Sequence, residues 1–326
     1  MIVRRSFPVR AEDRSTVGAA TREAAFVRIE HEGRAGVGEC APLGPGAERS
    51  LEECVRSLEA WCADGGPARG AIPAAMAAPA RFAASCAVET AHGLGGASHG
   101  PVPAASYYGG DPAALDDGAL ERLRAGAAIK LKVGRAPAAE ERRMIERVLE
   151  AAPGIPVRLD GNRSLAIEPC ASLVRGLPEG RIEYLEEPVV DPSGLARLRA
   201  MTGIRIALDE LIMDASDEAR ALRDRLSDAG DACAWVVRMS RVGTLDEVRA
   251  LMRAADRRGC DPVLSTAYES SWTIRVAALV AHAAGARRRA HGLGTAHVLE
   301  RDACPPATLA AGCVPCDALA AAEVPW

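Results

Sequence analysis

Lys130 and Lys132, in the stretch Ile129-Lys130-Leu131-Lys132-Val133-Gly134, are the only lysines in a chain of 326 residues that carries 40 Lys and Arg. Lysine is ordinarily among the commonest residues, so a composition that writes nearly every cation as arginine makes these two exceptions informative. Arginine stays protonated at working pH, whereas a lysine desolvated beside other cations can lose its proton and act as a general base. Alternation along the stretch puts Lys130 and Lys132 on one face of a β-strand, with Ile129, Leu131 and Val133 on the other. Two ammonium groups on one strand face suggest proton-transfer chemistry. The plain alternative is a solvated edge strand carrying two cations.

Downstream, polar residues recur at the ends of short β-branched runs: Asp160-Gly161-Asn162, Glu186-Glu187-Pro188 and Asp209-Glu210. The pattern predicts strands over 129–134, 156–161, 182–187, 204–209, 234–239 and 261–266, and a last one near 289–292. Amphipathic helices lie between them, for example over 138–151, 193–201, 244–258 and 270–284. Strands alternating with such helices mean βαβ units and a parallel sheet. The markers Lys132, Asp160, Glu186, Asp209, Arg238 and Ser265 follow one another at intervals of 23 to 29 residues. So regular a step favours a closed barrel over an open doubly wound sheet, and no Gly-rich dinucleotide fingerprint follows the first strand. Barrel enzymes keep their chemistry at the C-terminal ends of the strands. Carboxylates from three neighbouring strands would repel one another there unless a cation lay between them, and hard oxygen ligands suit Mg²⁺. Each acid could instead cap the helix that follows it.

The first third has a different character. Residues 1 to about 40 read as a meander of strands, followed by Ala-rich helices over 50–64 and 79–94, together a small α+β domain. A Gly/Pro-rich break over 93–103 ends it, which divides the chain into an α+β capping domain (1–98), a barrel (99–300) and a tail (301–326). The tail carries no strand pattern and is expected to return to the first domain. Its Cys313-Val314-Pro315-Cys316 has redox-motif spacing but no second pair or His cluster, and reads as structural. The ten cysteines fit a reducing compartment better than a disulfide framework. A net charge of -4 and 3% aromatic residues give no footing for nucleic acid. No stretch resembles a signal peptide or a membrane span, so the expectation is a cytoplasmic protein acting on a small molecule, with a homo-oligomer left open.

Taken together, the Lys-x-Lys strand, Asp160-Gly161-Asn162, Glu186-Glu187-Pro188, Ala207-Leu208-Asp209-Glu210 and the early Gly38-Glu39-Cys40-Ala41-Pro42 resemble the enolase superfamily, in its muconate-lactonizing-enzyme branch. The resemblance covers nearly the whole chain. It implies an α/β fold, a modified (β/α)8 TIM barrel of (β/α)7β type with an N-terminal capping domain whose loops, around 12–22 and 44–50, close over the mouth. It further implies Mg²⁺, with Mn²⁺ as a substitute, held by Asp160, Glu186 and Asp209, and a carboxylate substrate whose α-proton is removed to give an enediolate. Such an intermediate needs a divalent cation and nearby ammonium groups before a lysine can generate it.

The stretch Leu264-Ser265-Thr266-Ala267-Tyr268-Glu269-Ser270-Ser271, followed by His291-Gly292-Leu293-Gly294-Thr295, looks like the o-succinylbenzoate synthase family of menaquinone biosynthesis. That likeness implies substrate contacts from Asn162, Ser265, Ser270 and Gly292; helix capping is the competing role for Ser270. Lys132 would be base and then acid, and Lys130 would hold the substrate carboxylate and depress the pKa of its neighbour. Family members carry a further lysine on the sixth strand, where this chain has Arg238. A racemase needs a second base there, and arginine serves poorly as one. A syn dehydration needs only Lys132, with Arg238 stabilising the planar intermediate. The substitution therefore favours dehydration over the alternative of an N-acylamino-acid racemase or dipeptide epimerase; the further alternative is a non-catalytic metal-binding barrel, in which Arg238 marks a lost activity.

Overall fold

The structure is a computed structural model that describes residues 1–43, 50–69, 71–94, 99–316 and 319; residues 44–49 of the expected second mouth loop lie outside this set. The N-terminal domain is an antiparallel three-stranded sheet of β1 (Ile2–Pro8), β2 (Thr21–His31) and β3 (Arg34–Cys40). Helices Leu51–Ala63 and Ala78–Ala91 cover it, and Val27, Ile29, Leu58, Trp61 and Ala84 form its core. Ser50 starts the first of these helices with a reciprocal Ser–Glu53 capping box.

Eight parallel strands then close into a barrel: β4 (His99–Tyr108), β5 (Ala128–Lys132), β6 (Val157–Asp160), β7 (Ile182–Glu186), β8 (Ile206–Leu208), β9 (Ala232–Arg238), β10 (Asp261–Ser265) and β11 (His291–Gly294), with β11 pairing back onto β4. The molecule is thus a modified TIM barrel with a capping domain. Ile129 and Leu131 are fully buried in the core, and Lys130 and Lys132 point the other way, into the barrel. Strand β4 was hidden in the apparent Gly/Pro break. His99-Gly100-Pro101-Val102-Pro103 lacks two backbone donors and begins the strand, while Ala104 and Ala105 carry little β-branched signal.

The tail departs from expectation. Residues Glu300 and Val298 do bond Pro8 and Arg10 of the cap, yet the chain runs on to form β12 (Cys313–Cys316), antiparallel to β4 on the barrel. Pro315 masked this short strand in the sequence, and pairing with a strand far earlier in the chain, Val314 opposite Val102 for one, decides it. Cys40, Cys86, Cys170, Cys233 and Cys260 are buried thiols. No helix among the described residues is long and apolar enough to cross a membrane.

Buried polar groups fasten cap to barrel. Glu39, 1% exposed, accepts hydrogen bonds from the Ser270 amide (3.0 Å), the Ser270 hydroxyl (2.6 Å) and the Thr273 hydroxyl (2.7 Å) at the start of helix Ser271–Ala283. Arg22 donates to the Ala41 and Pro42 carbonyls of the cap and, at 3.3 Å, to the Ala267 carbonyl of the barrel. Burial pushes the Glu39 carboxyl from 4.5 up to about 7, against the hydrogen bonds that favour its charged form. A carboxyl whose folded pKa is raised contributes stability below its unfolded pKa, and loses it as pH climbs through the folded value. Glu39→Gln should therefore gain stability relative to wild type by about 2 kcal/mol between about pH 5 and pH 8, measured by urea unfolding.

Candidate active site

Parallel pairing decides which side chains stand level at the mouth. Lys132 pairs with Asp160 and Asp160 with Glu186; one layer below, Tyr107, Lys130, Arg158 and Tyr184 are successive partners. Across the barrel Arg238 pairs with Ser265, and Ser265 with Gly292. Residues far apart in sequence thereby share two adjoining layers of one interior.

Charges of opposite sign interleave there. Lys130 Nζ lies 2.7 Å from Asp160 Oδ2 and 2.7 Å from Glu186 Oε1. Lys132 Nζ donates to Asp160 Oδ2 at 2.6 Å and also to Asn162 Oδ1. Arg238 donates to Asp209 Oδ2 and lies 3.6 Å from Glu210 Oε1. Burial opposes ionisation of Asp160, yet Lys130, Lys132 and Arg238 together hold it well below the usual carboxylate range. Burial and the Asp160 charge push Glu186 up to about 7, and burial raises Asp209. Asp160 and Glu186 override desolvation to raise Lys130, and Asp209 and Glu210 do the same for Arg238, which stays a guanidinium.

The three acids come from successive strand ends, as the sequence implies, and their charges are balanced by the protein's own cations. With Lys130 seated between Asp160 and Glu186, no three such donors among the described residues converge on a single point. The donor set nevertheless fits a hard divalent ion, because every ligand atom is a carboxylate oxygen. Glu186 Oε2 and Asp209 Oδ1 are buried without a hydrogen-bond partner among the described residues, and such atoms are costly unless something binds them.

A small cavity of about 60 Å³, partly open to solvent, is lined by Lys130, Lys132, Arg238, Ser265, Gly292 and, from the cap, Leu43. A Cβ on Gly292 would lie 2.7 Å from the Ser265 hydroxyl, which would have to turn away to admit it. Asn162 reaches the site by way of Lys132: its backbone is left-handed (φ 42°) and its amide donates to Glu210 at 3.2 Å, so it orients the lysine. Ser270 corrects an expectation. It is fully buried at the start of helix Ser271–Ala283, makes no side-chain capping bond there, and spends its amide and hydroxyl on Glu39 of the cap domain, outside the cavity lining.

Sequence reasoning passed over Glu187. It is 1% exposed, in a strained backbone (φ 26°), and its Oε1 accepts from the Asp209 and Leu211 amides at 2.8 Å each, while Oε2 accepts from Arg163 at 2.7 Å. One carboxylate thus sets the loop that presents Asp209. Tyr107 and Tyr268, whose hydroxyls meet at 2.8 Å in the cavity wall, were also missed. The scarcity of tyrosine could have flagged both.

A family model described as enolase C-terminal domain-like matches residues 114–316. The chain belongs to the enolase superfamily. It is 32% identical over 264 residues to an o-succinylbenzoate synthase of Enterobacter sp. (strain 638), covering 77% of this chain and 76% of that protein. The o-succinylbenzoate synthase of Thermosynechococcus elongatus BP-1, solved with Mg in its active site, superposes with a TM-score of 0.69 and 25% identity over 95% of this chain and 96% of that one. The dipeptide epimerase of Enterococcus faecalis V583, solved with Mg and L-Leu-L-Tyr, shares the fold at a TM-score of 0.80 and 20% identity, over 100% of this chain and 98% of that one. These relationships place the chain among enzymes, in the carbon–oxygen lyase class of the superfamily. Within that frame Glu187→Ala should cost about 2–4 kcal/mol in urea unfolding, because two buried amides lose their acceptor, whereas Glu187→Gln, which keeps an acceptor oxygen, should cost less.

Proposed function

We propose that this enzyme is a Mg²⁺-dependent o-succinylbenzoate synthase of menaquinone biosynthesis, removing water from 2-succinyl-6-hydroxy-2,4-cyclohexadiene-1-carboxylate to give 2-succinylbenzoate. The observation that carries the reading is the pairing of a Lys130/Lys132 face with an arginine, not a base, opposite it. Asp160, Glu186 and Asp209 would hold Mg²⁺, which would supply positive charge for the oxygens of the substrate carboxylate as its α-proton is removed. Lys132, oriented by Asn162, takes the proton from the carbon bearing the carboxylate. As an ammonium it returns that proton to the hydroxyl leaving from the same face, so the C–O bond breaks, water departs and the ring becomes aromatic. Lys130 holds the substrate carboxylate. Arg238 faces the ring and stabilises its developing charge through the guanidinium.

Arg238 also separates this reading from the epimerase one. Epimerisation requires a group on the far face that alternates between base and acid, and Asp209 keeps the guanidinium protonated. With purified protein, ultraviolet absorbance should report aromatic product that depends on Mg²⁺ and disappears with chelator. Absence of turnover, together with deuterium exchange at the α-carbon of N-succinyl amino acids or dipeptides, would instead establish the epimerase. Lys132→Arg should abolish turnover while calorimetry still detects Mg²⁺ binding; substantial residual activity would remove Lys132 as the base. Arg238→Lys should retain the dehydration and gain measurable α-proton exchange, because a lysine on that face can lose its proton.

A further inference from the structure

Only four tyrosines occur in the chain, and two of them, from opposite sides of the barrel seam, join hydroxyl to hydroxyl at 2.8 Å in the wall of the active-site cavity. Tyr107 projects from β4, level with Lys130. It is 7% exposed, and its hydroxyl fits under Gly109, where any Cβ would collide with it, and beside Thr16 of the cap. Tyr268 sits in the turn after β10 with a left-handed backbone (φ 61°), a conformation uncommon for a bulky side chain.

The surroundings of Tyr268 leave its backbone little choice. The preceding carbonyl, that of Ala267, accepts from Arg22, and the Ala267 amide donates to Glu269, whose other oxygen accepts from Ser240 at 2.5 Å. The residue two beyond, Ser270, is gripped by Glu39. Buried polar contacts on both sides thus hold a strained turn whose product is the placement of one phenol against another. Strain maintained in this way at a cavity wall points to function.

Two phenols in one hydrogen bond have two protons and use one. The second O–H has no acceptor among the described protein groups, so it is available to the cavity. Burial raises the Tyr107 hydroxyl well above its ordinary range, which keeps that phenol in its neutral, donating form. The charged groups of the cavity, Lys130, Lys132 and Arg238, belong to the reacting carboxylate and ring; the Tyr107–Tyr268 pair contributes a neutral donor.

We propose that the Tyr107–Tyr268 hydroxyl pair is a specificity determinant that donates its spare proton to an acceptor oxygen on the side arm of the substrate, away from the reacting carbon. This rests on the dehydratase reading, in which the arm is a succinyl group with a ketone and a terminal carboxylate. The pair selects arms that carry such an oxygen over apolar arms of the same length.

The test compares three ligands by calorimetry with the Mg²⁺-loaded full-length enzyme: 2-succinylbenzoate, 2-butanoylbenzoate (ketone alone) and 2-(3-carboxypropyl)benzoate (carboxylate alone). Wild type should bind 2-succinylbenzoate about tenfold more tightly than the ligand lacking the recognised oxygen, and which ligand that is identifies the oxygen. Tyr107→Phe and Tyr268→Phe, each melting with wild type, should reduce this discrimination at least fivefold, with the kinetic loss falling on KM more than on kcat. The double variant should be no worse than the more affected single one, since only one hydroxyl of the pair donates to the arm. Unchanged discrimination in both variants, with wild type turning over the cyclohexadiene, would overturn the proposal and leave the dehydratase reading intact. A wild type that neither turns over that substrate nor binds its product would overturn the dehydratase reading and the proposal with it.

Discussion

Burying three carboxylates and three cations at the end of one barrel is the constraint on which the rest of the structure depends. Each charge removed from water is costly unless opposite charges and hydrogen bonds lie within a few ångströms. The parallel register of β5, β6 and β7 meets that condition by setting Lys132 beside Asp160 beside Glu186, with Lys130 bridging two of the acids from the layer below. In the same layer as Lys130, Arg158 is sealed in the interior, its guanidinium over the Tyr184 ring and its Nε on Glu183 at 2.5 Å. Glu183 in turn meets Arg289, which also holds Asp261. The barrel therefore carries paired charges through much of its depth, and the orphaned oxygens of Glu186 and Asp209 are at the mouth.

The capping domain is a working part of the mouth. Glu39 and Arg22 fasten it to the segment after β10, the same segment that bears Ala267 and Tyr268 in the cavity wall. A separate clasp lies across the mouth, where Arg135, three residues beyond Lys132, donates to the Ser15 carbonyl, the Thr16 hydroxyl and the Gly109 carbonyl. Arg249 and Glu89 add an ion pair at 2.5 Å between a barrel helix and a cap helix. Cap position and cavity shape are mechanically linked, because buried polar contacts of this kind are lost together or kept together.

Arg238 shows how one substitution within a shared scaffold narrows the chemistry. Its place at the end of β9, level with Ser265, puts a cation opposite the lysine face. Its contact with Asp209 ties that cation to one of the acids that would hold the metal. A guanidinium there supplies charge and a flat surface and withholds proton transfer, which suits a reaction completed from one face.

Much of this was legible in the sequence because the signals were local. Alternation in Ile129-Lys130-Leu131-Lys132 sets which residues face the interior, and recurring acids at strand ends mark the mouth. What escaped depended on pairing between distant segments. The Gly/Pro-rich opening of β4 becomes a strand by lying between β11, β5 and β12. Ser270 could equally have faced substrate or cap until the capping domain was docked and Glu39 arrived 231 residues away in sequence. Glu187 and Tyr268 take left-handed conformations that no propensity favours, held by contacts from other elements. The sequence by itself determined the residue types, their faces and the order of the strands, since those follow from short-range sterics and periodicity. Tertiary structure alone decided which oxygens are left unpartnered, which hydroxyls meet and which serine is spent on the cap, since those depend on the distances that closure of the barrel and docking of the cap impose.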